Sequence, residues 1–123
     1  MSTVLVVEDD LDQRQILHKL LTRIGLNVIF ACDGIEALSL AECHSPKLVI
    51  LDIIIPRMNG YEVCRKLKCP KKEHKPAVLM YSLKSEECDF YWGCKQGADA
   101  YVSKFSHPQE LIATVKYLLQ EKG

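Results

Sequence analysis

Two spacings of apolar residues alternate along the chain. Thr3–Val7 (TVLVV) is a short β-branched run that suits a strand, whereas Ile16, Leu17, Leu20, Leu21 and Ile24 recur at helical spacing until Gly25, which can stop the helix. Asn27–Ala31 reads as a second strand, and Ile35, Leu38, Leu40 and Ala41 fall on a helix from about Gly34 to Cys43. The alternation continues with a strand at Leu48–Leu51, a helix near Tyr61–Leu67, a strand at Ala77–Tyr81, a helix from about Ser85 to Gln96, a strand at Ala100–Val102 and a helix from Pro108 to Gln120. Ser106-x-x-Gln109 has the form of a capping box for that last helix. Short, nearly all-apolar strands alternating with helices predict a parallel sheet covered on both faces, a three-layer α/β domain. With no repeats, low-complexity segments or linker runs, residues 1–123 are expected to form a single domain.

Composition narrows the class. A hydrophobic content of 48% with 26% charged residues is that of a water-soluble globular protein. The apolar runs are far short of a membrane span, and the first residues lack a signal-peptide pattern, so a cytoplasmic location without membrane contact is expected. A formal net charge of zero argues against direct nucleic-acid binding. Arg57, Arg65, Lys66, Lys68, Lys71, Lys72 and Lys75 form a basic stretch against only Glu62 and Glu73, read first as a solvated helix face and loop. The six cysteines contain no C-x-x-C pair and are expected to be reduced, mostly buried or inert.

The candidate chemistry lies where the strands end. In an open α/β sheet ligands bind beyond the carboxyl ends of the strands. The residues just after the apolar runs are Glu8, Asp9 and Asp10, then Asp52, Ser82, and Ser103 with Lys104. Asp52 sits in "LDIIIPRMNGYE", where an unpaired charge would cost several kcal/mol if it were buried. Clustered carboxylates call for a compensating cation, and an all-oxygen set suits a hard ion such as Mg²⁺. Phosphoryl transfer is the matching chemistry, with Asp52 as the nucleophile and Lys104 balancing the transferred charge. A plainer reading stays open for each residue: Glu8, Asp9 and Asp10 as the acidic first turn of a helix, Asp52 as a turn residue, Lys104 as a solvated loop residue.

Three segments resemble a known family, the receiver domain of two-component response regulators, of the single-domain chemotaxis type. They are "LVVEDD", "LVILDIIIPRMNGYEV" and "GADAYVSK". The likeness spans essentially the whole chain. It implies a flavodoxin-like (βα)5 fold, with a parallel five-stranded sheet in order 2-1-3-4-5. Carried over by residue, it implies Asp52 as phosphoacceptor, and Mg²⁺ or Mn²⁺ held by Glu8, Asp9, Asp52 and the Ile54 backbone carbonyl. It further implies Lys104 and Ser82 as phosphoryl-stabilising groups, and Ser82 with Tyr101 as the switch pair. A histidine kinase or phosphotransfer protein would supply the phosphoryl group. The helix near Ser85–Gln96, the strand at Ala100–Val102 and the last helix would dock a downstream protein. Such a chain is a signalling switch and not an enzyme beyond its own phosphorylation and slow dephosphorylation. "DFYWGCKQGADAYVSK" further resembles twitching-motility regulators, which points to motility or taxis control.

Departures from the family pattern carry expectations of their own. Phe105 follows Lys104 where the family usually has a proline joined through a cis bond, and a cis bond before a non-proline residue costs about 2.5–4 kcal/mol. A trans bond there predicts a displaced lysine; Phe105 and Leu83 together motivate a second reading, a module that docks its partner without phosphorylation. Leu83 stands where a small residue is usual, Ile54 cannot orient a hydrolytic water, and Lys84 is basic, which together predict a long-lived phosphoprotein. A haloacid-dehalogenase-type phosphatase would need an acid/base Asp where Ile54 stands.

Overall fold

The apolar runs become strands at nearly the residues the pattern predicts. A computed structural model of the chain describes residues 2–83 and 86–122. The elements run β1 (Thr3–Val7), α1 (Leu11–Arg23), β2 (Asn27–Ala31), α2 (Gly34–His44), β3 (Leu48–Leu51), α3 (Gly60–Leu67), β4 (Ala77–Ser82), α4 (Glu87–Lys95), β5 (Ala100–Ser103) and α5 (Pro108–Lys122). The expected helix start at Ser85, and Lys84, lie outside the described residues.

The strands form one parallel sheet in order β2-β1-β3-β4-β5. Alternate residues of each strand feed opposite faces. Val4, Val6, Leu48, Ile50 and Leu79 pack with Leu17 and Leu21 of α1 and with Leu111, Val115 and Leu118 of α5. Leu5, Val7, Val49, Leu51, Val78 and Met80 pack with Ala37 of α2 and with Val63, Cys64 and Leu67 of α3. α4 closes on this second side, where Gly93 lies against the Tyr101 ring and Met80. Strand β3 is apolar throughout because both its faces are covered.

Two expectations fail here. The Ser106–Gln109 capping box does not form: helix α5 starts at Pro108, which has no N–H to offer and suits the first helical position. The capping position passes to His107, whose Nδ1 accepts the Gln109 N–H at 3.1 Å, while the Ser106 N–H donates back to the Ser103 carbonyl at 3.0 Å. The cysteines are not mostly buried. Cys32, Cys43, Cys88 and Cys94 are exposed on helices and a strand end, and only Cys64 is fully enclosed, its thiol pushed up to about 12 by burial.

Candidate functional site

Four strands deliver one side chain each to the carboxyl edge of the sheet. Glu8 follows β1, Asp52 follows β3, Ser82 ends β4 and Lys104 follows β5. Residues up to 96 positions apart in sequence thus meet within hydrogen-bond distance. Asp52 therefore stands just past the end of its strand, and Ile53–Ile55 leads away as a loop that α3 closes. Gly60, the first residue of α3, sits so close beneath that loop that a β-carbon there would collide with the Asp52 carbonyl oxygen and crowd the Ile53 Cα. The Gly60 N–H donates to the Ile53 carbonyl at 2.8 Å, which ties the helix start to the site.

The polar groups form one connected network. Lys104 Nζ donates to Glu8 Oε1 at 2.6 Å and to Asp52 Oδ2 at 2.7 Å. The other Asp52 oxygen, Oδ1, accepts the Ser82 hydroxyl at 2.7 Å and the Ile54 N–H at 3.2 Å. Glu8 Oε2 accepts the Asp10 N–H at 3.3 Å. Glu8 is 3% exposed, Asp52 8%, and the Lys104 side chain 8%. Burial by itself would push the Lys104 ammonium down; its hydrogen bonds to Asp52 and Glu8, and their charges, outweigh that and hold it above the ordinary lysine value.

The bond between Lys104 and Phe105 is trans, as no described peptide bond is cis, yet the lysine is not displaced. The expectation built on the missing proline is overturned by local hydrogen bonding. The Lys104 N–H extends the β4–β5 ladder to the Ser82 carbonyl at 2.9 Å, and Ser103 folds the next turn by accepting from Phe105 N at its hydroxyl and from Ser106 N at its carbonyl. Phe105 itself is 77% exposed.

Tyr101 on β5 is half-buried, its ring edge-on to Phe90 at 4.5 Å between centroids. Burial, then the neighbouring Tyr61, Asp89 and Asp52, push its phenol up, while a hydrogen bond with Ser82 pulls the other way. Ser82 therefore connects Asp52 to Tyr101.

Two residues that sequence reasoning passed over join the site. The Tyr81 ring lies beside Lys104, whose Nζ is 5.8 Å from the ring centroid, and the Arg14 guanidinium donates to the Glu8 carbonyl at 2.7 Å. Tyr81 is a lone aromatic in an otherwise aliphatic strand directly before Ser82, a signal that was available. Arg14 had none, because only the packing of α1 brings it back to the end of β1.

An open cleft of about 320 Å³ faces this network, lined by Glu8, Asp9, Asp10, Gln13, Asp52, Ile54, Ser82, Leu83 and Lys104. Asp9 is exposed there and accepts no hydrogen bond or ion pair among the described residues. Among those residues no three His, Cys, Asp or Glu side chains group closely enough to enclose a metal. A cation would take few carboxylates, with backbone carbonyl and water oxygens completing its shell. That donor set fits Mg²⁺, which keeps several waters and binds through one or two carboxylates.

Comparison with known proteins agrees with this architecture. The response regulator receiver domain family model matches residues 4–116. The chain is 40% identical over 117 residues to the alkaline phosphatase synthesis transcriptional regulatory protein PhoP of Bacillus subtilis, covering 95% of this chain and 48% of that protein. It spans about half the length of the curated relatives it matches. It superimposes on the Francisella response regulator 1452 receiver domain with a TM-score of 0.91 at 26% identity, covering 100% of both chains. With the chemotaxis response regulator CheY4 of Vibrio cholerae the TM-score is 0.87 at 27% identity, covering 96% of this chain and 98% of that one. Among the described residues no helix is long and apolar enough to cross a membrane. With the family match over residues 4–116 added to the sheet order and the strand-end network, this chain belongs to the response regulator receiver domain family of two-component signalling.

Proposed function

We propose that Asp52 accepts a phosphoryl group and that the chain is a phosphorylation-activated switch. The observation that carries this reading is the Asp52 carboxylate itself, nearly buried yet lining an open cleft, with Ser82 on one oxygen and Lys104 on the other. An Asp52 oxygen attacks phosphorus while the bond to the donor's leaving group breaks. The donor is a phosphohistidine of a kinase or phosphotransfer protein, and its imidazole leaves and takes up a proton. Lys104 balances the added oxygens' charge, and the Ser82 hydroxyl turns from the carboxylate to the phosphoryl group. Asp9 and Asp52, with Glu8 alongside and the Ile54 carbonyl, would hold Mg²⁺ or Mn²⁺. When bound, the ion neutralises charge on the transferred oxygens.

The switch needs a differential contact between two states. Ser82 supplies it, because one hydroxyl serves both Asp52 and Tyr101. Movement of Ser82 would free Tyr101 to move against Phe90 and α4. The face made by α4, β5 and α5 exposes Tyr91, Trp92 and Tyr117, which suits docking of a downstream protein. The Trp92-Gly93 and Gln96-Gly97-Ala98 resemblance favours motility or taxis control as the output. PhoP of B. subtilis, named a transcriptional regulatory protein, is about twice as long as this chain; for residues 1–123, with zero net charge, no direct nucleic-acid contact is proposed. The chain acts in the cytoplasm, and with Leu83 and Ile54 exposed over the cleft its acyl phosphate is long-lived.

Incubation with acetyl phosphate and Mg²⁺, read by intact mass, tests the reading. One phosphoryl adduct is expected, lost with Asp52→Asn and with chelator. No adduct from acetyl phosphate or from a histidine kinase would instead make the chain a docking module that works without phosphorylation. An acyl phosphate that decays within seconds would contradict the predicted long lifetime.

A further inference from the structure

We propose that the groove between α2 and α3 docks an acidic protein segment that carries an apolar anchor. This goes beyond the phosphorylation reading and does not depend on it. The groove has a volume of about 520 Å³ and is lined by Leu38, Ser39, Glu42, Arg65, Lys66, Cys69 and Lys72. Its two walls follow from helical spacing, since side chains three and four residues apart share a face. Leu38, Ser39 and Glu42 form the stripe of α2. Arg65 and Lys66 lie on the last turn of α3, and the turns closed by the Cys69 N–H to the Lys66 carbonyl at 3.3 Å and the Lys72 N–H to the Cys69 carbonyl at 3.0 Å prolong the wall to Cys69 and Lys72.

Charge decides the occupant. The side chains of Arg65, Lys66 and Lys72 are exposed and make no ion pair or hydrogen bond among the described residues, although Glu42 shares the groove. Seven of the chain's sixteen basic residues fall between positions 57 and 75, with two acidic ones, in a chain whose net charge is zero. The excess is thus local to this side. Leu38 and Cys69, both half-buried, put an apolar floor beneath the cations, which favours a segment with an aliphatic side chain between carboxylates over a free inorganic anion. No Phe, Tyr or Trp lines the groove, so it lacks the stacking platform that single-stranded nucleic acid uses. Helix α3 starts beside Asp52 and runs back along the sheet, so the groove lies on the half of α2 and α3 remote from the cleft. A segment seated there leaves Asp52 accessible.

Fluorescence anisotropy of the whole chain with a labelled peptide of alternating Glu and Leu tests the proposal. Saturable binding is expected, weakening as salt is raised, with none for the Lys-and-Leu counterpart. Arg65→Glu with Lys72→Glu should weaken it by at least about tenfold, since two attractions become repulsions. Arg23→Glu with Lys116→Glu, the same charge change at exposed positions of α1 and α5, should shift it by less than about twofold. Lys66→Gln, a milder change that leaves the fold intact, should weaken it by a smaller factor. Absence of saturable binding, or equal weakening by the control pair, would overturn the proposal. So would a labelled oligothymidylate that binds as tightly, or self-association in sedimentation equilibrium that Arg65→Glu with Lys72→Glu abolishes, since the occupant would then be nucleic acid or a second copy.

Discussion

At the carboxyl edge of the sheet one cation, Lys104, is almost wholly buried between two carboxylates; on the far half of α3 and the turn after it three cations, Arg65, Lys66 and Lys72, stand in solvent with no ion partner among the described residues. The same side-chain chemistry has opposite consequences in the two places. At the strand ends desolvation makes an unpaired charge costly, so the groups are held in one arrangement and any new charge must displace an existing contact. On the helix surface water screens each cation, so nothing in the fold requires a partner, and an outside partner can enter without breaking a contact. On the proposed reading the first region would respond to an added phosphoryl group, and the second would add a ligand and stay as it is.

The contrast can be broken most severely at Gly60. Gly60→Ala places a methyl group against the Asp52 carbonyl and should cost more than about 3 kcal/mol in urea unfolding, because backbone and not a flexible side chain must give way. Lys104→Met should cost about 3 kcal/mol at neutral pH by leaving Glu8 and Asp52 buried without their cation, and combining it with Asp52→Asn should recover part of that loss. If the double variant were as unstable as the sum of the single ones, the pairing would not be the cause.

The pH dependence has a defined sign. The folded-state pKa of Lys104 lies above its ordinary 10.5, so its ion pairs contribute fully below that pH and are lost as pH rises through the folded value. Wild type should therefore lose stability in that alkaline range more steeply than Lys104→Met, in denaturant titrations at stepped pH. A smaller effect belongs to Tyr81. Tyr81→Leu removes the ring beside Lys104 and should cost about 1 kcal/mol, with Tyr81→Phe near wild type. Smallest of all, Arg65→Glu with Lys72→Glu should change stability by no more than about 0.5 kcal/mol while altering binding in the groove. A large loss there would mean that those cations are structural.

Much of the fold was legible because its signals are local. Leu48–Leu51 and Asn27–Ala31 coincide with their predicted strands to the residue, since an apolar run bounded by turn residues has few alternatives in a sheet covered on both faces. Helix ends were harder. The choice between Ser106 and His107 as the cap depended on Pro108 taking the first helical position, and the capping-box pattern ignores that competition. Asp52, Ser82 and Lys104 could be named because each stands directly after an apolar run, and the parallel order sends all such positions to one edge. Asp9 lines the cleft as expected, but exposed and apart from the Glu8–Lys104–Asp52 contacts. The thiols were misjudged because cysteine's average preference for burial says nothing about which face of a helix a given residue occupies.

By itself the sequence determined the element order, that the sheet is covered on both faces, and the set of polar side chains that end its strands, because hydrophobic period and turn chemistry act over a few residues. Only the tertiary structure decided which of those side chains touch. That Lys104 bridges Glu8 and Asp52 beside Tyr81 without a proline to hold it, that Ser82 joins Asp52 to Tyr101, and that three cations on α3 and the turn after it line a groove against α2 are matters of ångströms between residues distant in the chain. Those distances are set by how helices pack on the sheet, which no local pattern encodes.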